Sequence, residues 1–372
     1  MDPLLPSQPK VRCVQCGEPY PVIGLPYCCR FCGGLFDFDA PPVFDRRKME
    51  PQLPGYWRYR HTFGLPQDAP LVSLGEGNSP LIWMEAGGDE VGLKLESLNP
   101  TGSYKDRGSA TLVSRLAAGG AQRAVEDSSG NAGASFAAYM ARAKLAARVY
   151  VPESASGPKR EQIEAYGAEL RAIPGPRSAA AAAVLEEAGQ GVPYGSHAWL
   201  PFGLPGIATI AYELYEQMGG APGTVIAPVG HGGLLLGIVR GFAALQRAGL
   251  IERTPYYVGV QAGLCPPMVL GWKYGLEKME QAGEGATVAE GVRVRRPMRA
   301  EALLAEIPRK RGKFVAIPEP EILPAFEELA RRGVYVEPTA ALAWAALGKI
   351  GKVPGPLVLI ISGIGLKYRS RL

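Results

Sequence analysis

Short apolar runs rich in β-branched residues alternate with longer helix-forming stretches from about residue 91 onward. Alternation of this kind predicts an α/β fold, in which a mostly parallel sheet is covered by helices. Ligands of such sheets bind at the carboxyl ends of the strands. The predicted strands are 92–96, 123–126, 148–151, 169–173, 224–229, 257–261, 334–337 and 357–361, and the predicted helices are 103–118, 133–143, 159–166, 178–188, 206–218, 234–247, 319–331 and 340–350.

Composition narrows the class of protein. The chain has 372 residues, of which 47% are hydrophobic and 20% charged, as in a soluble globular protein with more than one domain. Its net charge of +5 is dispersed, so we expect no nucleic-acid partner. No apolar run reaches the roughly 18 residues of a membrane span, and the Met-Asp-Pro start lacks an export signal. We expect a cytoplasmic protein without membrane contact.

Five of the six cysteines lie between positions 13 and 32, which favours a metal site in a cytosolic chain. Two Cys-x-x-Cys-Gly knuckles, Cys13 to Gly17 and Cys29 to Gly33, predict a structural zinc held by Cys13, Cys16, Cys29 and Cys32. Cys28 is an alternative to Cys29. Four sulfur ligands leave no open position, so the zinc is expected to fold a ribbon and not to catalyse.

A lysine follows a turn-rich segment that precedes a predicted helix. The segment Asn99-Pro100-Thr101-Gly102-Ser103 contains two turn dipeptides and a capping serine, and it places Lys105 in the first helical turn. The positive end of the helix dipole favours the neutral amine there, which is the nucleophilic form that a Schiff-base lysine requires. Taken alone, a solvated lysine beside an Asp-Arg pair explains the segment equally well.

The stretch from Glu96 to Gly108, Glu-Ser-Leu-Asn-Pro-Thr-Gly-Ser-Tyr-Lys-Asp-Arg-Gly, resembles the cofactor-lysine motif of the threonine synthase-like family of fold type II pyridoxal-phosphate enzymes. The resemblance begins at Gly75-Glu76-Gly77-Asn78-Ser79-Pro80-Leu81 and continues from there. It implies that Lys105 binds the cofactor covalently. It also implies two three-layer α/β/α subdomains with mostly parallel sheets. The cysteine pattern sets the ribbon at 1–40, and the catalytic domain is then expected over 41–372, with a smaller subdomain, about 107–198, inserted in it.

Three other predicted strand ends carry turns that match this family. The resemblance implies that Ser128, Ser129, Asn131 and Ala132 bind the substrate carboxylate, and that Asn131 also contacts the 3′-oxygen of the cofactor. It implies that the glycine turn 230–234 binds the cofactor phosphate and that Ser362 hydrogen-bonds the pyridine nitrogen. The residues of the glycine turn are Gly230, His231, Gly232, Gly233 and Leu234. The histidines 61, 197 and 231 form no predicted metal cluster and are interpreted as structural, although 197 and 231 lie near these loops.

One segment departs from the family. Threonine synthases bind the phosphate of O-phosphohomoserine partly through Asn-Ser-x-Asn-Pro-x-Arg, where this chain has Leu200 for the second asparagine and Gly203 for the arginine. Loss of a bidentate phosphate donor should weaken binding of a dianionic substrate. The neighbourhood instead contains Trp199 and Phe202, which suits a substrate with a less charged side chain.

The expected function is therefore that of a threonine synthase-like lyase, which acts on a small amino acid by elimination or replacement at the side chain. The alternative is a serine or threonine ammonia-lyase that releases a 2-oxo acid. A third hypothesis is a non-catalytic binding protein on the same fold, against which the intact Lys105 argues. The resemblance implies a homodimer.

Overall fold

The computed structural model describes residues 10–40, 43–155 and 157–368. The first nine residues of the predicted ribbon, the adjoining positions 41–42, residue 156 and the last four residues lie outside that description. The chain divides into two compact units. Unit 1 comprises Met1–Gly75 and Lys105–Gly206, and unit 2 comprises Glu76–Tyr104 and Ile207–Leu372.

Unit 1 contains a three-stranded parallel sheet with helices between its strands, and a small antiparallel pair of strands in the N-terminal segment. The elements are β1 Val11–Cys13, β2 Phe36–Phe38, α1 Lys105–Ala118, β5 Arg123–Glu126, α2 Asn131–Arg142, β6 Ala146–Pro152, α3 Pro158–Ala165, β7 Glu169–Ile173 and α4 Arg177–Gly189. The strands of the parallel sheet lie in the order β5-β6-β7, and β1 pairs with β2.

Unit 2 contains a six-stranded, mostly parallel sheet. The elements are β3 Leu81–Ala86, β4 Asp89–Lys94, β8 Thr224–Pro228, α6 Gly233–Arg247, β9 Tyr256–Ala262, α7 Pro267–Tyr274, α8 Ala300–Glu306, β10 Gly312–Ile317, α9 Glu319–Arg331, α10 Pro338–Ala345 and β11 Leu357–Ile360, with α5 Leu204–Met218 beginning at the end of unit 1. The strand order is β10-β9-β8-β11-β4-β3, in which only the edge strand β3 runs antiparallel to its neighbour. The central strands are apolar and almost wholly buried, as expected of strands covered on both faces.

A buried ion pair fixes the Gly-Glu-Gly-Asn-Ser-Pro segment of unit 2. Nζ of Lys94 lies 2.7 Å from Oε2 of Glu213, and it also donates to the carbonyl oxygen of Ser79 at 2.6 Å. The second carboxylate oxygen of Glu213 accepts the amide of Asn78 at 2.8 Å. Because both charges are fully buried and hydrogen-bonded, the pair gives the segment a single conformation.

The ribbon packs on unit 1 through aromatic rings. Tyr20 meets both Phe36 and Phe202 edge to face, at centroid distances of 4.7 and 5.1 Å. Tyr27 meets Trp199 in the same way at 5.2 Å. Edge-to-face pairs at these distances stabilise an interface beyond the apolar area they bury. The aromatic residues of the segment 199–202 therefore serve as the surface on which the ribbon rests.

The predicted α/β class with mostly parallel sheets in two subdomains is confirmed. The predicted strands 123–126 and 169–173 coincide with β5 and β7. The prediction of a strand over 334–337 is wrong: that segment makes only one isolated bridge, Val336 with Ile364. Across the three described ranges, no helix is both long and apolar enough to cross a membrane.

Candidate active site

Lys105 is the first residue of α1, as the capping pattern predicts to within two residues. The residues that follow it are held firmly. Asp106 is fully buried, and its Oδ1 accepts a hydrogen bond from the hydroxyl of Ser135 at 2.6 Å. The carbonyl oxygen of the equally buried Arg107 accepts the hydroxyl of Tyr56 at 2.9 Å. The backbone from which the lysine side chain departs is therefore rigid.

The turn predicted to bind a carboxylate joins β5 to α2. Helix α2 begins at Asn131, so the amides of its first turn point towards the Ser128–Ala132 loop. The loop is tight: the hydroxyl of Ser128 accepts the amide of Gly130 at 3.2 Å. A Cβ at Gly133 would lie 1.9 Å from the carbonyl oxygen of Ser128, so only glycine permits this approach. The geometry fits an anion cradle built from backbone amides.

The lysine and the cradle are neighbours within unit 1. Ser135 lies one turn into α2, and its hydrogen bond to Asp106 joins that turn to the first turn of α1. The two helices therefore begin on the same side of the unit. Lys105 and the Ser128–Ala132 loop occupy those two starts.

Two acidic residues lie at the end of β5: Glu126 is its last residue and Asp127 follows it. Oε2 of Glu126 accepts the amide of Ser128, and its Oε1 lies 3.4 Å from Nδ1 of His197. Oδ1 of Asp127 accepts the hydroxyl of Tyr194 at 2.6 Å. The residues around Tyr194 pair with β5 as an extra parallel segment, which sets His197 beside the strand end. The signal in the sequence is the pair of acids that follows the apolar residues of a predicted strand.

The electrostatics of this acidic pair are unusual. Burial raises the pKa of Glu126 to about 7, although the amide of Ser128 and the positive charges of Arg177 and Lys105 oppose that change. Burial also raises the pKa of Asp127, and the charge of Glu126 adds to it. Burial lowers the pKa of His197 well below its ordinary value, as do the charges of Lys105 and Arg177. A carboxyl whose pKa lies near neutrality is suited to proton transfer.

Unit 2 carries two buried serine hydroxyls on adjoining segments. Ser103 and Ser362 are 0% and 2% exposed, and neither hydroxyl has a hydrogen-bond partner among the described residues. The segments are joined by the bridge between Ser103 and Gly363 and by the hydrogen bond from the amide of Tyr104 to the carbonyl oxygen of Ser362. Buried hydroxyls rarely lack partners, so this pair fits a polar ligand that supplies them. Pyridoxal phosphate has such groups in its ring nitrogen and ring substituents.

The glycine turn of unit 2 runs from the end of β8 to the start of α6. Gly232 has φ +95° and caps α6, which begins at Gly233. A Cβ at Gly230 would lie 2.8 Å from the carbonyl oxygen of Gly291, and one at Gly232 would lie 3.3 Å from Cβ of Arg299. His231 and Leu234 belong to the same turn, and Leu234 is buried. Backbone amides at the N-terminus of a helix of this length fit a phosphate.

The four predicted zinc ligands come together in the ribbon. The sulfur atoms of Cys13, Cys16, Cys29 and Cys32 all lie within 4.8 Å of one another, and Cys28 is not part of this group. Three of the sulfur–sulfur distances are 3.4, 3.4 and 3.6 Å, near the spacing of about 3.8 Å that a tetrahedral zinc with bonds of about 2.3 Å requires. The knuckle glycines 17 and 33 have φ +73° and +72°, so the two knuckles share one conformation.

The segment that departs from the threonine synthase pattern does not form the predicted substrate pocket. Phe202 contacts Tyr20, and Trp199 contacts Tyr27, so both rings face the ribbon. Leu200 is buried. A Cβ at Gly203 would lie 3.2 Å from the carbonyl oxygen of Gly108, so the close approach to α1 leaves little space for a larger side chain. The glycine at position 203, where threonine synthases have an arginine, therefore allows this segment to pack closely against α1.

Comparisons with known proteins agree with these features. The family described as "Pyridoxal-phosphate dependent enzyme" matches residues 72–363. Threonine synthase of Methanocaldococcus jannaschii is 33% identical over 96% of this chain and 92% of its own length, and that of Methanosarcina acetivorans is 31% identical over 91% and 86%. The crystal structure of the T.th. threonine deaminase is 30% identical with a TM-score of 0.62, and covers 78% of this chain and 93% of that one.

Maize serine racemase has a TM-score of 0.65 at 18% identity, over 77% of this chain and 88% of its own, which shows likeness of fold alone. The family match spans the lysine turn, the carboxylate cradle, the glycine turn and Ser362. This chain belongs to the pyridoxal-phosphate dependent enzymes of the α/β fold that threonine synthases and threonine deaminases share.

Proposed function

We propose that this enzyme is a lyase that removes or replaces the side-chain substituent of a small amino acid. The observation that carries the proposal is the placement of Lys105 at the start of α1, with the Ser128–Ala132 cradle at the adjacent start of α2. That arrangement binds an amino acid by its carboxylate and brings a basic amine to its α-carbon. The similarity to threonine synthases and threonine deaminase supports the same reaction class.

Each site residue then has a role. Lys105 holds the cofactor covalently, and Asn131 contacts its 3′-oxygen. The backbone amides of the turn formed by Gly230, His231, Gly232, Gly233 and Leu234 bind its phosphate. Ser362 hydrogen-bonds its ring nitrogen, and Ser128, Ser129, Asn131 and Ala132 bind the substrate carboxylate. The unsatisfied hydroxyl of Ser362 and the glycine-only approach at Gly133 support these assignments.

The residues of the chain carry out the proton transfers. When bound, pyridoxal phosphate withdraws electrons from the α-carbon of an attached amino acid, so its α-proton becomes acidic. The amine of Lys105 would take that proton. The cradle fixes the carboxylate and so orients the Cα–H bond towards the lysine. The hydroxyl of Ser362 is a weaker partner for a ring nitrogen than a carboxylate would be, which favours elimination over transamination.

We also propose that the ribbon binds one structural zinc through Cys13, Cys16, Cys29 and Cys32. Their sulfur geometry and the matched knuckles support it. Four thiolates leave no position for a substrate, so the ion stabilises the fold of the ribbon. A homodimer and a cytoplasmic location stay predictions.

Two substrate classes remain in competition. A threonine synthase reaction would consume O-phosphohomoserine and release phosphate, whereas an ammonia-lyase reaction would release a 2-oxo acid from serine or threonine. Leu200 and Gly203 favour the second class, because they stand where threonine synthases have phosphate-binding side chains and Gly203 packs closely on α1.

The test is to incubate the cofactor-loaded enzyme with O-phosphohomoserine, serine and threonine and to assay inorganic phosphate and 2-oxo acid. We expect at least one product from the parent and a loss of about 100-fold or more in Lys105→Ala, because the base is removed. Lys159→Ala is the matched control, since this lysine occupies the first turn of α3 in the same unit. Equal turnover by Lys105→Ala and the parent would refute the proposal.

A further inference from the structure

We propose that Glu126 and His197 form a proton-donating pair that protonates the substituent leaving the substrate, so that the enzyme acts on amino acids carrying a hydroxyl or amine on the side chain in preference to phosphate esters. This inference rests on the proposed function and specifies its substrate class. The pair belongs wholly to unit 1, as do Lys105 and the carboxylate cradle.

The geometry gives the two carboxylate oxygens of Glu126 different tasks. Oε2 accepts the amide of Ser128 and is thereby tied to the cradle. Oε1 faces Nδ1 of His197 at 3.4 Å. A protonated Glu126 therefore has its carbonyl oxygen on the turn and its hydroxyl towards the imidazole. The His197 side chain is 28% exposed whereas that of Glu126 is 1% exposed, so the imidazole is the member of the pair that can pass a proton outward.

The burial of the pair and the charges around it favour a protonated Glu126 carboxyl beside a neutral His197 near neutral pH. The groups that act on the pair are Asp127 and Tyr194 on the acidic side and Lys105 and Arg177 on the basic side. Desolvation of the partly buried imidazole and the charges of Lys105 and Arg177 lower the pKa of His197, whereas burial raises the pKa of Glu126 to about 7. A substantial fraction of Glu126 therefore carries a proton at neutral pH, and in the proposed pair the neutral imidazole has its hydrogen on Nε2.

Protons and electrons balance in the resulting step. Lys105 removes the α-proton, and the electron pair of the Cα–H bond becomes the new carbon–carbon double bond. The bond from the β-carbon to oxygen breaks, and its electron pair stays on oxygen, which takes the proton from Nε2 of His197 and leaves as water. Nδ1 takes the proton of Glu126 at the same time, and an amine substituent leaves as ammonia by the same route. Solvent later returns a proton through the partly exposed His197.

The leaving group decides whether such a donor is needed. Hydroxide and amide ions are poor leaving groups and require protonation in the transition state, whereas phosphate departs as a stable anion and requires cationic donors. At the end of β5 this chain places two buried carboxyls. At position 203, where the threonine synthase pattern has an arginine, it has a glycine packed on α1. Both features suit an uncharged or amine substituent and disfavour a dianion.

The experiment compares substrates whose leaving groups differ in their need for a proton. We would measure kcat/KM of the cofactor-loaded parent and of Glu126→Gln with L-serine, L-threonine and β-chloro-L-alanine, whose chloride leaves unprotonated. The side-chain oxygen of glutamine can still accept from the amide of Ser128, but its NH₂ group has no acidic proton to transfer. We expect a loss of about 10²–10⁴-fold with the hydroxyl substrates and little change with β-chloroalanine. His197→Asn, which keeps a polar atom near Glu126, should show the same selective loss.

A merely structural role for Glu126 predicts equal losses with all three substrates, and that result would overturn the inference, as would no loss at all. Glu187→Gln is the control, because this carboxylate of the same unit accepts from Arg148 and Tyr150. Should the parent release 2-oxo acid from β-chloroalanine but not from serine or threonine, the proton-donating role would be wrong while the proposed elimination would stand.

A spectroscopic measurement, which needs no turnover, also distinguishes a proton-donating Glu126 from a structural one. Infrared difference spectra of the parent across the neutral pH range should contain the C=O stretch of a protonated carboxyl, which disappears near pH 7 as Glu126 ionises. The band should be absent from the difference between the parent and Glu187→Gln and present in the difference between the parent and Glu126→Gln. If no such band depends on Glu126, the pair stores no proton, whatever the enzyme turns over.

Discussion

The amide of Tyr104 donates a hydrogen bond of 3.0 Å to the carbonyl oxygen of Ser362, although 258 positions separate the two residues in the sequence. This bond joins the segment before the lysine to the segment after β11. It leaves the side-chain hydroxyl of Ser362 buried and without a partner among the described residues. An unsatisfied buried hydroxyl is an energetic cost that a bound ligand can remove.

The first prediction concerns this hydroxyl. Ser362→Ala should weaken binding of pyridoxal phosphate about 2- to 10-fold, because one hydrogen bond to the ring nitrogen is lost. The same substitution should leave the thermal stability of the cofactor-free protein unchanged or raise it, because an unsatisfied buried group is removed. Absorbance titration and thermal unfolding measure the two effects. Ser362→Thr retains a hydroxyl and should bind the cofactor more tightly than Ser362→Ala. If the alanine variant bound the cofactor more tightly, the proposed hydrogen bond from position 362 to the ring nitrogen would be excluded.

The second prediction concerns the glycine at the cradle. Gly133→Ala should destabilise the protein by about 2 kcal/mol or more, because the new Cβ would lie 1.9 Å from the carbonyl oxygen of Ser128 and the turn must shift. Activity should fall with it, since the cradle amides move. Gly189→Ala is the control: it is a helical glycine in α4 with nothing within 4 Å of the added atom, so a small gain in stability is expected. Chemical denaturation measures the free energy of unfolding of both variants. Similar changes in this free energy for Gly133→Ala and Gly189→Ala would contradict the steric argument.

The third prediction concerns the metal. The purified protein should contain one zinc per chain, measured by atomic absorption, and Cys16→Ser should lose it whereas Cys28→Ser should retain it. Removal of zinc by a chelator should loosen the ribbon from the aromatic surface formed by Trp199 and Phe202, and tryptophan fluorescence should report this. A zinc content lowered equally by both substitutions would show that the ligand set is different.

The sequence predicted the strand-to-helix turns well, because turn chemistry is local. The starts of α1 and α2 and the ends of β5 and β7 fall within two residues of expectation. Predictions failed where a partner distant in sequence decides the structure. Residues 334–337 have the composition of a strand, yet their one β-bridge among the described residues joins Val336 to Ile364, in the irregular loop around Gly363.

Two features of the site depended on tertiary contacts that the sequence does not show. Trp199 and Phe202 were read as substrate contacts because of their place in a family pattern, but their rings pack on Tyr27 and Tyr20 of the ribbon. Glu126 and His197 were not paired in advance, since 71 positions separate them and only the alignment of the Tyr194 segment with β5 brings them together.

The fourth prediction is a pH dependence of stability. Because burial raises the pKa of Glu126 from the ordinary 4.5 to about 7, the native protein binds more protons than the unfolded chain between these values. The free energy of unfolding therefore falls as pH rises from 4.5 to 7, by up to about 3 kcal/mol for this group alone. Glu126→Gln has no charge to bury. Its stability relative to the parent should therefore increase from about pH 5 to about pH 8.

The pKa of Glu187, in the same unit, is shifted in the direction opposite to that of Glu126. Burial tends to raise its pKa, but hydrogen bonds from Tyr150 and Arg148 outweigh burial and hold the pKa below its ordinary value. The stability that Glu187 contributes is therefore present above its ordinary pKa and is lost as pH falls, so Glu187→Gln should be most destabilised, relative to the parent, at neutral pH. Urea denaturation of both cofactor-free variants across this range measures the slopes. If the stability relative to the parent changed with pH in the same way for Glu126→Gln and Glu187→Gln, Glu126 would be ionised in the native protein at all these pH values.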